Sequence, residues 1–158
     1  MLANTIFEGA VDKTLDVSQR FGAALDAAGI PYHVNAIDPM AARLTKDVDV
    51  AIHRSDLETV RAVVEQYGFK YRHVAGVDMF LDAGAANARS AVHAIFVGEK
   101  VRAGDLAETP ASDPVRVNEG FLIAPVGDLV CMKLTSYKLK DKVHIQDLDG
   151  AGLITPEN

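Results

Sequence analysis

Two aspartates separated by one residue stand in Thr45-Lys46-Asp47-Val48-Asp49-Val50. Around them Val48, Val50 and Ile52 alternate with Asp47, Asp49, Ala51 and His53. Alternation of period two is the mark of a strand, so both carboxylates leave from one face as close neighbours. Like charges at that spacing repel, and a divalent cation between them relieves the repulsion. Hard carboxylate oxygens suit Mg2+ (or Mn2+), an ion that takes one or two protein carboxylates and completes its shell with water and substrate phosphates. The same pair also fits a strand edge that faces solvent and holds nothing.

Three further groups bear on chemistry. Lys133, Lys138, Lys140 and Lys142 form a local basic cluster in which Asp141 is the single acid. Lys133, Tyr137 and Lys140 follow i, i+4, i+7, the spacing of one helical face. Such a cluster suits a nucleotide or an RNA, and equally a solvated helix face. His93, within Ala91-Val92-His93-Ala94-Ile95-Phe96-Val97, has the titration range of a general base, near 6.5 in its ordinary state. It also fits a hydrogen-bonded strand histidine. Asp78 and Asp82 are alternative acids on the preceding strand. The other histidines, His33, His53, His73 and His144, lack zinc-site spacing. Cys131 is the sole cysteine, which excludes an internal disulfide and a cysteine zinc site. Neither a Gly-x-Ser-x-Gly elbow nor a Walker loop is present.

The elements that must position these residues are legible from periodicity. Val17, Phe21, Ala24, Leu25 and Ala28 make one apolar stripe, predicting a helix over 11–28 stopped by Gly29 and Pro31. A short strand is expected at 30–34, then a loop, then the aspartate strand at 46–53. Ser55-x-x-Glu58 reads as a capping box for a helix whose buried stripe is Leu57, Val60, Val64 and Tyr67, ended by Gly68. Residues 71–74 and 77–82 read as strands around a turn at Ala75-Gly76, and 91–97 as another strand. A long surface connection covers 98–119, with an extended segment at 121–126. Helices are expected at 129–139, capped by Asp128, and at 141–150. Interleaved strands and helices place the chain in the α+β (or α/β) class, a mixed sheet packed with helices.

The 158 residues fit a single domain, 1–158, with a core of its own. Hydrophobic residues at 49% exclude disorder as the main state. No run approaches the roughly 18–20 apolar residues of a membrane span. The formal charge of −6 gives no general attraction to nucleic acid or anionic lipid, so any nucleic-acid contact would run through the local basic patch. The first 30 residues lack a secretory pattern, and the cytoplasm is the expected location.

The order of these features resembles the nucleotidyltransferase superfamily, the polymerase β-like fold, over roughly residues 20–150. Arg43-x-Thr45-x-Asp47-x-Asp49 follows a helix, a short strand and a loop, and precedes a second helix. Met132-Lys133-Leu134, Lys140-Asp141 and Asp147-Leu148 look like the lysine helix and the following helix of bacterial minimal and abortive-infection-type members. The resemblance implies that Asp47 and Asp49 hold one or two divalent metals, and that Lys133 contacts the triphosphate of an NTP. Thr45 and Lys140 stand as further nucleotide contacts, and His93 as a catalytic residue. The implied reaction transfers a nucleoside monophosphate to a hydroxyl on a small molecule, a protein or an RNA. An inactive binding or regulatory module, such as a toxin–antitoxin component with a protein partner, is the alternative.

Two departures accompany the resemblance. The family has Gly-Gly or Gly-Ser after the first strand, where backbone approaches phosphate; here the chain reads Val34-Asn35-Ala36. The family often has a third acid on a later strand, where this chain has His93.

Overall fold

The computed structural model describes residues 2–35, 48–84, 91–118 and 120–157, and of 2–13 the backbone alone. Thr45 and Asp47 lie outside the described residues. Among the described residues, four α-helices and seven strands follow in the order α1 (Leu2–Ala28), β1 (Tyr32–Val34), β2 (Val48–Ile52), α2 (Leu57–Glu65), β3 (Phe69–Val74), β4 (Val77–Asp82), β5 (Ala91–Phe96), β6 (Val115–Arg116), β7 (Leu122–Ile123), α3 (Val126–Ser136) and α4 (Leu139–Gly150). The expected α+β class with a mixed sheet holds. One sheet runs β3-β4-β5-β2-β1-β7-β6. Within it β2 is parallel to β5 and β1 is parallel to β7; the remaining pairs are antiparallel.

Helices α1 and α2 cover one face of the sheet. Val17, Phe21, Ala24 and Leu25 of α1 and Val60 and Val64 of α2 pack with Val48, Val50, Ile52, Phe69, Phe80 and Val92 into the main core. Phe21 stacks edge-on to Phe69 at 5.2 Å between ring centres, and Phe80 lies 5.2 Å from it at a tilt. A second, smaller core joins α3 and α4 through Leu129 and Leu148, with Leu153 and Ile154 against them.

Several local expectations are corrected. The first helix begins at Leu2, well before residue 11. Tyr67 is 37% exposed and outside the buried stripe of α2. The Ser55–Glu58 capping box does not form: a 3-10 turn spans Arg54–Asp56, and Glu58 accepts from Arg61 at 2.7 Å instead. Pro125, not Asp128, precedes α3, and Asp128 accepts from Ser112 Oγ at 2.7 Å. The helix expected to 139 stops at Ser136, because Tyr137 is left-handed at φ +46°. Lys133 and Lys140 therefore belong to two helices and share no helical face.

Candidate functional site

The sheet topology decides which residues meet. β1 and β7 run parallel, so they end together. β2 is antiparallel to β1, so it begins where β1 ends, and β5, parallel to β2, begins there too. Asn35, Asp49 and His93 are thus gathered at one end of the central strands. The Asn35 N–H donates to the Asp49 carbonyl at 2.8 Å, and Asp49 is the direct register partner of His93. Only Ala124 and Pro125 separate β7 from α3, so α3 rises from the same end. The Asn35 amide Nδ2 reaches Met132 Sδ of α3 at 3.3 Å, which brings the neighbouring Lys133 toward Asp49.

Asp49 faces away from the main core, since Val48 and Val50 on either side of it are buried there. Its side chain is 49% exposed, and Oδ1 lies 3.4 Å from His93 Nδ1. Lys133 sits across from this pair, half-buried on α3 and within the field of Asp49. Burial pushes its ammonium below the ordinary value, with Lys140 acting in the same direction and Asp141 and Asp49 against it. Its Nζ lies 3.0 Å from Nδ1 of His144 on α4. Burial, followed by the charge of Lys133, likewise holds the His144 imidazole below its ordinary value.

Asp141 anchors the start of α4. It is 6% exposed, and its Oδ2 accepts from the Lys138 N–H at 3.0 Å. Burial pushes its carboxyl up, but hydrogen bonds from Ser136 and Lys138 and the charges of Lys133 and Lys140 together hold it below the ordinary value. It is therefore an anion at the start of α4, in the field of two lysines.

Of the residues expected from sequence, Asp49, His93 and Lys133 come together, and Lys140 lies in the field of Lys133. Asp78 and Asp82 do not join them. His93 registers with Met79, so Asp78 and Asp82 fall on the opposite face with Phe80. Asp78 is taken by the Tyr71 hydroxyl at 2.6 Å and His73 Nδ1 at 2.7 Å. Asp82 is taken by Arg20 at 2.6 Å. His144 joins the site, although its spacing from the other histidines suggests no site. The sequence signal was its place three residues after Asp141, the spacing of one helix face.

Among the described residues, no group of three or more His, Cys, Asp or Glu side chains is arranged to hold a metal ion. Asp49 offers one hard oxygen donor, half-open to solvent, as Mg2+ accepts when phosphates and water complete its shell. Among the described residues, no helix is long and apolar enough to cross a membrane.

No family model matches the chain, and no curated protein matches it. Its structure is similar to that of the antibiotic-resistance factor ANT(2'')-Ia, an aminoglycoside nucleotidyltransferase. The solution structure of that protein superposes with a TM-score of 0.58 at 16% identity, covering 87% of this chain and 81% of that one. The crystal structure of the same protein in complex with adenylyl-2''-tobramycin gives 0.59 at 12% identity, covering 87% and 86%. Residues of β2, β5 and α3 thus meet on a fold that the chain shares with ANT(2'')-Ia.

Proposed function

We propose that this chain is a metal-dependent nucleotidyltransferase, moving a nucleoside monophosphate from an NTP to a hydroxyl acceptor. One observation carries the reading. At the end of the sheet where β2 and β5 begin, the half-exposed Asp49 carboxylate stands beside His93 and faces the Lys133 ammonium. A carboxylate opposite a half-buried cation suits a metal-bound polyphosphate, with one side for the ion and the other for the phosphate oxygens. Asp49, with Asp47 two positions earlier in the same alternation, would hold Mg2+ or Mn2+. Such an ion supplies charge neutralisation and Lewis acidity at the reacting phosphate.

The chain's own residues supply the rest. Lys133 and Lys140 hold the triphosphate, with Thr45 as a further nucleotide contact. His93, whose Nδ1 lies 3.4 Å from Asp49 Oδ1, is the base that receives the proton of the acceptor hydroxyl. That oxygen bonds to the α-phosphorus, and the bond from the phosphorus to the pyrophosphate oxygen breaks. The proton rests on His93, and Lys133 carries the charge of the departing pyrophosphate.

ANT(2'')-Ia has been solved with adenylyl-2''-tobramycin, and by that likeness we read the acceptor as a small polyhydroxylated molecule. The formal charge of −6 favours a cationic one. Toxin chemistry on a protein or RNA is the variant that the abortive-infection resemblance supports, and in either case the cytoplasm supplies the NTP. A second reading, an inactive binding or regulatory module, is favoured by Asn35. Its side chain stands where the resembled family has glycine, with a buried Oδ1.

The test is incorporation of label from α-labelled NTP, with Mg2+, into an aminoglycoside panel. Asp47→Asn combined with Asp49→Asn is expected to abolish it, and transfer that survives the double variant rejects the mechanism. Wild-type protein that binds no NTP by calorimetry favours the inactive module.

A further inference from the structure

His144 is a histidine placed against a lysine. Its Nδ1 lies 3.0 Å from Lys133 Nζ. An ammonium has donors and no acceptor, so this contact requires the Nδ1 lone pair and a neutral ring with its proton on Nε2. The two side chains come from different helices, and the junction between them is fixed. α3 stops at the left-handed Tyr137, and α4 starts where the Asp141 carboxylate accepts from the Lys138 N–H. Around the ring stand Lys133 from α3, and Lys140, Asp141 and Asp147 from its own helix; Asp49 of β2 lies beyond Lys133. Both members of the pair are partly exposed.

We propose that His144 is a proton-linked contact for the polyphosphate: when phosphate oxygens draw Lys133 off Nδ1, the freed imidazole takes up a proton and becomes a second positive group on the anion. The inference rests on the nucleotidyltransferase reading and names a device within that site. Before the anion arrives, burial and the charge of Lys133 disfavour the charged ring. Once the anion is bound, the ammonium charge is neutralised and a negative group stands beside the ring. Asp141 and Asp147 then favour the imidazolium, against burial and the charge of Lys140. Binding of the anion and binding of a proton become linked, and each strengthens the other. Linkage limits the effect: uptake of one full proton makes affinity rise tenfold, at most, for each pH unit lowered.

The experiment is calorimetric titration with Mg2+-saturated ATP between pH 6 and 8, in buffers of low and high ionisation enthalpy. Saturating Mg2+ keeps the terminal phosphate deprotonated, so it contributes no proton of its own. Wild type is compared with His144→Asn, whose side-chain oxygen can still accept from Lys133 near the Nδ1 position but cannot be protonated. Expected for wild type is an apparent enthalpy that differs between buffers, reporting uptake of a substantial fraction of a proton, with affinity rising about three- to tenfold per pH unit lowered. In His144→Asn the buffer dependence attributable to the ring disappears and the affinity profile flattens. Retained binding at pH 8, where the wild-type ring is neutral, shows that the variant is folded and its site assembled. Binding with no proton uptake in wild type, or uptake unchanged in His144→Asn, overturns the proposal and leaves the nucleotidyltransferase reading standing. Absence of ATP binding at every pH overturns both.

Discussion

Replacing Lys133 with methionine separates function from stability, because the two respond in opposite directions. The Lys133 ammonium is half-buried on α3, and burial pushes it below its ordinary value. For a lysine whose folded value is depressed, the charged form costs stability at every pH below that value. The cost is relieved as pH rises through the folded value toward the ordinary 10.5. Methionine keeps the length and apolar stem of the side chain and removes the charge. Folding at pH 7 should therefore be unchanged or slightly favoured, with a gain of up to about 1 kcal/mol. For a chain of this size that raises the melting temperature by roughly 2–4 °C. Nucleotide binding moves the other way. A hydrogen bond to a charged partner contributes about 1.5–3 kcal/mol, so its loss should weaken NTP affinity roughly 10- to 150-fold. Thermal melts and Mg2+-ATP calorimetry on the same preparation read both effects. ATP affinity within about threefold of wild type would refute a phosphate contact at Lys133. A melting temperature lowered by more than about 5 °C would refute the claim that its charge is held at a cost.

Two further perturbations test the scaffold. In Gly22→Ala the new Cβ would stand 2.6 Å from Tyr32 Oη and 2.9 Å from Phe121 Cβ. Tyr32 Oη also donates to Asp26 and accepts from the Leu122 N–H, each at 3.2 Å, so the clash should cost about 1–3 kcal/mol and lower the melting temperature by roughly 3–10 °C; a melt indistinguishable from wild type would contradict this packing. Asp82 is pushed up by burial, but the Arg20 bond, the Gly84 N–H and the Arg20 charge hold it below the ordinary 3.8. Its stabilisation is therefore present above that pH and lost as pH falls through the lower folded value. Asp82→Asn should destabilise at pH 7 by about 1–3 kcal/mol and narrow the difference from wild type as pH drops below 4; a difference constant with pH would refute the ion pair.

The parts of the fold that could be read from sequence are those whose cause is local. The alternation through Val48, Asp49, Val50 and Ile52 shows as a strand whatever lies beside it. Ala75-Gly76 takes positive φ at both positions, 50° and 78°, as a two-residue hairpin turn requires. The missed features have tertiary causes. Ser136-Tyr137-Lys138 carries no glycine or proline to announce a helix stop. The left-handed Tyr137 costs roughly 1–2 kcal/mol; the Lys142 ammonium, 4.2 Å from the centre of its ring, offsets part of that, and the rest falls to the turn that follows. That remainder comes from Asp141, which accepts from the Lys138 N–H and from Ser136, and so starts a new helix at once. The i, i+4, i+7 pattern of Lys133, Tyr137 and Lys140 was real as spacing and had no helix to act on. His144 was overlooked for the same reason, since its partner Lys133 lies across that junction. Asp78 and Asp82 illustrate the converse error: strand acids near a site in sequence belong to it only when register puts them on its face.

The two departures from the nucleotidyltransferase pattern gain meaning from their positions in space. Asn35 and His93 are far apart in the chain, yet they border the same residue. The backbone of one bonds to the Asp49 carbonyl at 2.8 Å, and the other is its neighbour across the parallel strands. Both therefore border Asp49, one at its backbone and the other at its side chain. With histidine in place of a third acid, the local charge is less negative by one, and the pull on a divalent ion is correspondingly weaker. On the proposed mechanism that ion depends more on the phosphates with which it arrives, while the imidazole supplies a proton acceptor that a metal-bound carboxylate does not. Asn35 puts a side chain where backbone would otherwise approach phosphate, and its Nδ2 contact with Met132 Sδ ties that strand end to α3. That contact joins the strand end beside Asp49 to the helix that carries Lys133. A tie of that kind lowers the ordering cost of binding, and on the proposed mechanism that offsets part of what the metal loses with the third acid.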